Sequence, residues 1–339
     1  MADWLLLILV LAASTLLTGA VRGYAIKRSL IDIPNARSSH HTPTPRGGGL
    51  GLVAAFLLAM LGLFHGDRVP DNLFAALAGS GLLIAGIGYW DDHGHIPAQW
   101  RLLVHLAAAV WAVTRLGGIG PVPFGSLSLP LGWIGNVMAV FFLVWLLNLF
   151  NFMDGIDGIA ASEAVFAASS AAGLLLLVDP DRAPAALWLL LLAAAALGFL
   201  LWNWPPARIF MGDVGSGFLG MMLGLFAFYT SAETGLNIWV WLILLGLFIV
   251  DATWTLLRRV AAGERWHEAH CSHAYQRLTR RWQSHKRVTV ATWLVNLLWL
   301  LPLALLAAER PQIGALCLVV AYIPLLFLAY RLGAGRAER

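Results

Sequence analysis

The chain has 339 residues, 60% of them hydrophobic and only 12% charged, and its mean hydropathy is +0.76. A water-soluble domain carries about 25% charged residues, so a soluble globular fold is excluded. The net charge of +4 is small and its basic groups flank apolar runs, which argues against a nucleic-acid partner.

A helix needs about 20 consecutive apolar residues to cross a bilayer. In chain order the candidate runs are 4–20, 47–64, 72–90, 102–116, 131–150, 158–178, 184–204, 214–230, 236–257, 288–308 and 312–330. The run 102–116 is the weakest, being short and holding His105 and Arg115. The runs are continuous rather than alternating, which favours helices over a barrel. The expectation is an all-α polytopic membrane protein of about eleven transmembrane helices. With the segment after the first run placed inside, 18 of the 22 Lys and Arg residues fall on the inner side. The positive-inside rule then puts the N-terminus in the periplasm and the C-terminus in the cytoplasm. The first run lacks a basic n-region and reads as a retained anchor. Neither Cys271 nor Cys317 is expected to form a disulfide.

A single membrane domain, 1–339, is expected, with polar inner loops at 21–46, 91–101, 151–157, 205–213 and 258–287. A transporter would be expected to place polar residues near the bilayer midplane on broken helices. Here they gather at one face, which favours an interfacial enzyme.

Six constellations carry the chemistry. Asp32, Asn35, Arg37, Ser38, Ser39 and His40 precede Arg46 and a glycine run, where backbone amides can approach a phosphate; the same run is a common helix entry. Asp91-Asp92, at the inner end of the third run, suits a divalent cation or a basic group. A solvated helix end is the plainer explanation, although acids there oppose the helix dipole. Asn148, Asn151, Asp154 and Asp157 recur every three residues with Gly155 and Gly158 among them. That pattern suits a hydrated metal or a diphosphate, against an ordinary Asp-Gly turn.

Asp213 opens the eighth helix, where a plain N-cap would explain it. Gly212, Ser216, Gly220 and Gly224 form a small-residue stripe for helix packing. Asn203 lies upstream in the same segment. Asp251, in the inner third of the ninth run, is costly unless functional or paired with Arg258 or Arg259; Glu163 is similar but isolated. The segment from Trp266 through His267, His270 and His273 to Arg277 suits phosphate recognition better than zinc.

Together these motifs resemble the polyprenyl-phosphate N-acetylhexosamine-1-phosphate transferases, glycosyltransferase family 4. The likeness runs from Asp32 to Gln276 in matching order. It rests on Asp91-Asp92, Asn151-Phe-Met-Asp154-Gly-Ile-Asp157-Gly158 and Phe210-Met-Gly-Asp213-Val-Gly-Ser216. The Pro34–His40 and His273–Leu278 segments look most like the branch that starts O-antigen, and the muramoyl-pentapeptide branch is disfavoured. The resemblance implies transfer of a sugar-1-phosphate from a UDP-N-acetyl amino sugar to undecaprenyl phosphate, releasing UMP. It also implies a Mg²⁺ cofactor, with Mn²⁺ as a substitute, at the cytoplasmic face of the bacterial inner membrane. By resemblance Asp213 is the metal ligand and Asp91 and Asp92 face the lipid phosphate. Asn151, Asp154 and Asp157 line the donor site. His270, His273 and Arg277 contact phosphates, Asn203 the nucleotide, and His40, Arg46 and Asn148 are further substrate-binding candidates. A homodimer is compatible with this reading. The other classes left open are a transporter and a CDP-alcohol phosphotransferase-like enzyme, although the aspartate spacing of the latter is not found.

Overall fold

The computed structural model describes residues 2–34, 40, 42–94, 96–264 and 271–336. Asn35, Arg37, Ser38, Ser39, Trp266, His267 and His270, singled out above, lie outside the described residues.

The chain is helical almost throughout. The helices are α1 (Asp3–Lys27), α2 (Gly49–His65), α3 (Asp71–His93), α4 (Ala98–Leu116), α5 (Gly132–Met153), α6 (Ile159–Val178) and α7 (Ala183–Asn203). They continue with α8 (Asp213–Glu233), α9 (Ile238–Leu244), α10 (Gly246–Ala261), α11 (Ala274–Trp282), α12 (His285–Val295), α13 (Leu301–Glu309) and α14 (Gly314–Arg331). Two small antiparallel pairs decorate the loops: β1 (Ile31–Asp32) with β2 (Thr44–Pro45), and β3 (Val122–Phe124) with β4 (Leu127–Leu129).

Helices occupy all eleven apolar runs, although not all of them meet the length and composition of a membrane span. Among the described residues eight helical spans are long and apolar enough to cross a membrane. The pair α9 and α10 makes a ninth if counted as one span bent by 72°. The helix α2 is shorter, and α4 is diluted by its polar residues. The bend falls at Leu245, so Asp251 sits on a separate helix rather than within a straight span. The next span, from His285 to Glu309, contains a π-helical stretch at Asn296–Leu300. There the Asn296 amide donates to buried Glu163 at 2.6 Å, so that acid is not isolated.

The central element is α8. Of its apolar window 89% is buried, against 17% for α1. It packs against α2, α3, α5 and α6. Its small residues explain this position. A Cβ on Gly220 would stand 2.7 Å from the Leu146 carbonyl oxygen, and one on Gly224 would stand 2.6 Å from Leu143 Cδ2, both on α5. The small-residue stripe is therefore a packing face, as expected. On α3, a Cβ on Gly88 would lie 2.5 Å from the backbone nitrogen of Val214. The C-terminal end of α3 and the first turn of α8 thus touch backbone to backbone.

That contact yields a test of the packing. Gly88→Ala should force α3 and α8 apart and cost about 1–3 kcal/mol, the usual price of overpacking. Gly86→Ala, on the same helix but facing open space, should be silent. Thermal unfolding of the two variants in detergent measures the difference, and equal melting of both would contradict the close approach.

Candidate active site

The C-terminal ends of α3 and α5 and the N-terminal end of α8 converge on a cavity of about 250 Å³ lined by Asp92, Asn151, Asp154, Asp157, Asp213 and Arg46. Its helices end there because the sequence changes from apolar runs to Asp, Asn and Gly: α5 stops at Met153 and α6 starts after Gly158.

Asp92 is buried, and its carboxylate caps a different helix. Its Oδ1 accepts the Asp213 N–H at 3.1 Å and its Oδ2 the Val214 N–H at 3.3 Å. These are orphan donors of the first turn of α8. Gly212, with φ +76°, makes room for this, since a Cβ there would collide with the Asp92 carboxylate. The plain N-cap explanation for Asp213 is therefore corrected: Gly212 holds the N-cap position, the first-turn amides go to Asp92, and the Asp213 carboxylate meets Arg101 instead. Arg46 fixes the end of α3 from outside. Its guanidinium donates to the Asp92 carbonyl, at 2.9 Å through Nε, and to the Asp91 carbonyl at 3.3 Å.

Asp91 points away from the main cavity. It accepts the Ile96 N–H at 2.9 Å and pairs with Arg101 Nη1 at 2.5 Å. The same nitrogen reaches Asp213 Oδ2 at 3.1 Å. Asn151 also lies within hydrogen-bonding reach of Asp213. Asp157 is tied on every side. Its Oδ2 accepts the Ala207 N–H at 3.0 Å, its Oδ1 pairs with His285 Nδ1 at 3.1 Å, and its carbonyl accepts the Thr289 hydroxyl at 3.0 Å.

Asp154 differs. Among the described residues its carboxylate makes no hydrogen bond or ion pair, yet it lines the cavity. Burial, and then the charges of Asp213, Asp92 and Asp157, push its pKa well above the usual carboxylate range. An unpartnered carboxylate beside other acids calls for a cation. Among the described residues no three acidic, His or Cys side chains form a ready-made metal cage. Mg²⁺ does not need one: it typically takes one or two carboxylates and completes its shell with waters and substrate phosphate. The carboxylate oxygens of Asp154 and Asp213 fit that ion, while the two lining imidazoles, His40 and His285, face Asp32 and Asp157.

Several of the expected substrate-binding residues have partners within the protein, although Asn203 also lines the cavity. Both ends of the Asn203 amide are consumed by backbone: Oδ1 accepts the Gly158 N–H at 2.8 Å and Nδ2 donates to the Ile209 carbonyl at 2.9 Å. Asn203 buckles two loops together. Asn148 donates back to the Val144 carbonyl at 2.7 Å and lines, with Arg101, an adjoining cleft that shares Asn151 and Asp213 with the main cavity. His273 is buried against Asp251 at 3.5 Å. Asp251 in turn caps α11, accepting the Ala274 and Tyr275 N–H groups at 2.8 and 3.0 Å. Its partners are thus His273 and a helix end, rather than Arg258 or Arg259. Arg277 donates to the Arg336 carbonyl in the C-terminal turn and does not line the cavity. His40 does line it, with its ring edge-on to Phe210 at 4.7 Å.

Sequence reasoning missed Arg101, His285 and Gln276, the last two being cavity-lining; Asp32, singled out with His40, lines the cavity as well. Arg101 had a readable signal. Only four residues separate α3 from α4, so the helices return antiparallel and residues just after the break face those just before it.

A family model described as glycosyl transferase family 4 matches residues 74–231, the stretch from α3 to α8 that carries the carboxylates. A probable undecaprenyl-phosphate N-acetylglucosaminyl 1-phosphate transferase of Bacillus subtilis (strain 168) is 30% identical over 291 residues, which is 84% of this chain and 79% of that one. A decaprenyl-phosphate N-acetylglucosaminephosphotransferase of Mycobacterium leprae (strain TN) is 30% identical over 310 residues, 82% of this chain and 77% of that one. A phospho-N-acetylmuramoyl-pentapeptide-transferase of Chlamydia muridarum (strain MoPn / Nigg) is 34% identical over 248 residues, 66% of this chain and 70% of that one.

The raised pKa of Asp154 has a measurable consequence. The folded state holds a proton that the unfolded chain releases, so stability falls as pH climbs above the ordinary carboxylate range. Asp154→Asn removes that loss. In buffer with chelator, its thermal midpoint should exceed that of the natural protein clearly at pH 8 and less at pH 5. An equal shift at both pH values would rule out ionisation of Asp154 as the cause.

Proposed function

The chain belongs to glycosyl transferase family 4, the polyprenyl-phosphate N-acetylhexosamine-1-phosphate transferases, and we propose that it moves an N-acetylhexosamine-1-phosphate from its UDP-sugar to undecaprenyl phosphate. UMP is released, and the product starts O-antigen, lipopolysaccharide or a related cell-envelope glycan. The observation that carries this reading is the convergence of Asp92, Asn151, Asp154, Asp157 and Asp213 on one cavity at the ends of membrane-spanning helices. The donor sugar is proposed to be N-acetylglucosamine or a 6-deoxy sugar such as N-acetylfucosamine or N-acetylquinovosamine.

In the reaction an oxygen of the lipid phosphate attacks the β-phosphorus of the donor. The bridging P–O bond breaks and UMP takes its electrons. A phosphate monoester has a second pKa of about 6, so at neutral pH the nucleophile needs no strong base. This agrees with Asp91, which is held by Arg101, and Asp92, which is held by the α8 amides. Both are assigned positioning roles rather than proton transfer. Asp213 and Asp154 are the residues proposed to hold Mg²⁺, with Mn²⁺ as a substitute. When bound, the ion would offset the charge of the diphosphate and polarise the phosphoryl group. His285 and the Ala207 N–H hold the Asp157 carboxylate in place at the cavity wall. Phosphoryl transfer asks mainly for such positioning and charge stabilisation.

The direct test is UMP release by purified protein with undecaprenyl phosphate, Mg²⁺ and a panel of UDP-sugars. Turnover is expected with UDP-N-acetylglucosamine or a UDP-N-acetyl-6-deoxyhexosamine. Turnover only with UDP-muramoyl-pentapeptide would overturn the branch, and none with any donor would overturn the reading. Run in the same assay, Asp213→Asn should lose about 10²–10³ in rate and still fold, because Asp92 supplies the helix cap.

We further propose that this face is cytoplasmic in the bacterial inner membrane, on the basic residues that flank it. Cys271 is a natural reporter: it is free and partly exposed, whereas Cys317 is buried. An impermeant thiol reagent should label Cys271 in inverted vesicles and not in intact spheroplasts. The opposite pattern would reverse the topology.

A further inference from the structure

Glu163 is a buried acid that does not line the cavity. It is the single acidic or basic residue of α6. Among the described residues, the helices packed on α6 offer it no counter-charge. The helices α5, α7 and α9 contain no charged residue, α8, α12 and α13 carry theirs only at their ends, and Arg182 adjoins the opposite end of α6. An ionised carboxylate in such surroundings is costly.

Its partner is Asn296, which is also buried. Asn296 Nδ2 donates to Glu163 Oε2 at 2.6 Å. Among the described residues the other two oxygens of the pair, Glu163 Oε1 and Asn296 Oδ1, have no hydrogen-bond partner. Buried polar atoms are rarely left so. An ionised carboxyl can only accept, and so can the amide oxygen. One proton on Oε1 makes it a donor to Oδ1 and satisfies both atoms together. Acid and amide are then joined by two hydrogen bonds in a closed ring.

The pair also lies on a mechanical line to the cavity. Asn296 opens the π-helical stretch that ends at Leu300. Such bulges interrupt the regular winding of a helix and recur at functional sites. Seven residues before Asn296, about 10 Å along the axis, Thr289 donates to the Asp157 carbonyl at 3.0 Å. His285, which opens the same helix, pairs with the Asp157 carboxylate. Asp157 in turn stands six residues before Glu163. The helices α6 and α12 are therefore fastened twice, at the cavity by His285 and Thr289 and further along by Asn296.

We propose that Glu163 is a positioning residue: as a neutral acid paired with Asn296 it locks the α12 span against α6, and so maintains the grip of His285 and Thr289 on Asp157. Its kinetic consequence rests on the transferase reading above. The proton stays on Oε1 and takes no part in the reaction. The lock fixes the span where its winding is irregular, and the cavity wall inherits that rigidity.

The proton and the lock are tested separately. Glutamine offers one donor and one acceptor, as the neutral acid does, so Glu163→Gln should melt and turn over like the natural protein. The infrared spectrum of the natural protein minus that of Glu163→Gln, in detergent at neutral pH, should show the C=O band of a protonated carboxyl. A carboxylate band in its place overturns the neutral pairing. Glu163→Leu combined with Asn296→Leu removes the lock by making both partners apolar, a change that is often nearly neutral for stability. This double variant should lose about tenfold or more in kcat, because a small misplacement of a positioned group is costly in rate. KM for undecaprenyl phosphate should stay within about twofold, as expected for a loss outside acceptor binding. A natural kcat in the folded double variant, or an equal loss in Glu163→Gln, overturns the positioning role. Melting tests the mechanical link without substrate. The losses caused by Thr289→Val and by the double variant should not add, whereas simple additivity, the behaviour of independent sites, removes the link. The infrared and melting results stand whether or not a UDP-sugar is turned over, so absence of turnover sinks only the transferase reading.

Discussion

The backbone contact between the end of α3 and the start of α8 governs the site. Two helices meet this closely only where one side presents no side chain, and Gly88 and Gly212 are those places. The approach brings the Asp92 carboxylate onto the free N–H groups of Asp213 and Val214, a charge-assisted pairing at the positive end of a helix dipole. The link orients α8, and α8 carries Asp213. Arg46 binds the carbonyls of Asp91 and Asp92 from the other side, so the loop before α2 is drawn onto the same junction. The N–H groups of Gly48 and Gly49 extend that seam, donating to the carbonyls of Phe210 and Met211.

Around this junction the chain gathers more negative charge than a poorly hydrated cavity tolerates by itself. Most of it is compensated within the protein: Asp91 by Arg101, Asp92 by helix amides, Asp157 by His285 and the Ala207 amide. Among the described residues Asp154 is left without a partner, and burial and neighbouring acids hold its carboxyl above the usual range. Strain of this kind at a site is retained where it serves binding, at a cost to stability. The distribution also separates roles that look alike in sequence. The acids around the junction divide into a helix cap (Asp92), a loop anchor (Asp157), a bridge to arginine (Asp91 and Asp213) and, among the described residues, one carboxylate without a partner (Asp154).

Much of the organisation was legible from the residues alone. Continuous apolar runs dictate helices because a bilayer leaves backbone groups no other partner, and helices occupy every run. The switch from apolar runs to Asp, Asn and Gly marks the cavity wall, and the stripe from Gly212 to Gly224 marks a packing face. The side-chain roles were less legible. Asn203, His273 and Arg277 carry the right chemistry for substrate, but a polar group's partner depends on what lies beside it in space. Asn203 meets the backbone of Gly158 and Ile209, His273 meets Asp251, and Arg277 meets a carbonyl near the C-terminus. The bend in the ninth run was equally hidden, since Leu245 and Gly246 sit in a stretch as apolar as any other.

The sequence by itself therefore determined the class of fold, the helical runs, the family and the set of acids that meet, because hydropathy and short motifs are local properties. Tertiary structure alone decided which acid caps a helix, which is paired and which is free. Those outcomes turn on contacts of about 3 Å between residues more than a hundred positions apart, such as Asp92 with Asp213 and Asp157 with His285. Local pattern carries no record of such distances, so identical carboxylates acquire different roles only when the helices close around them.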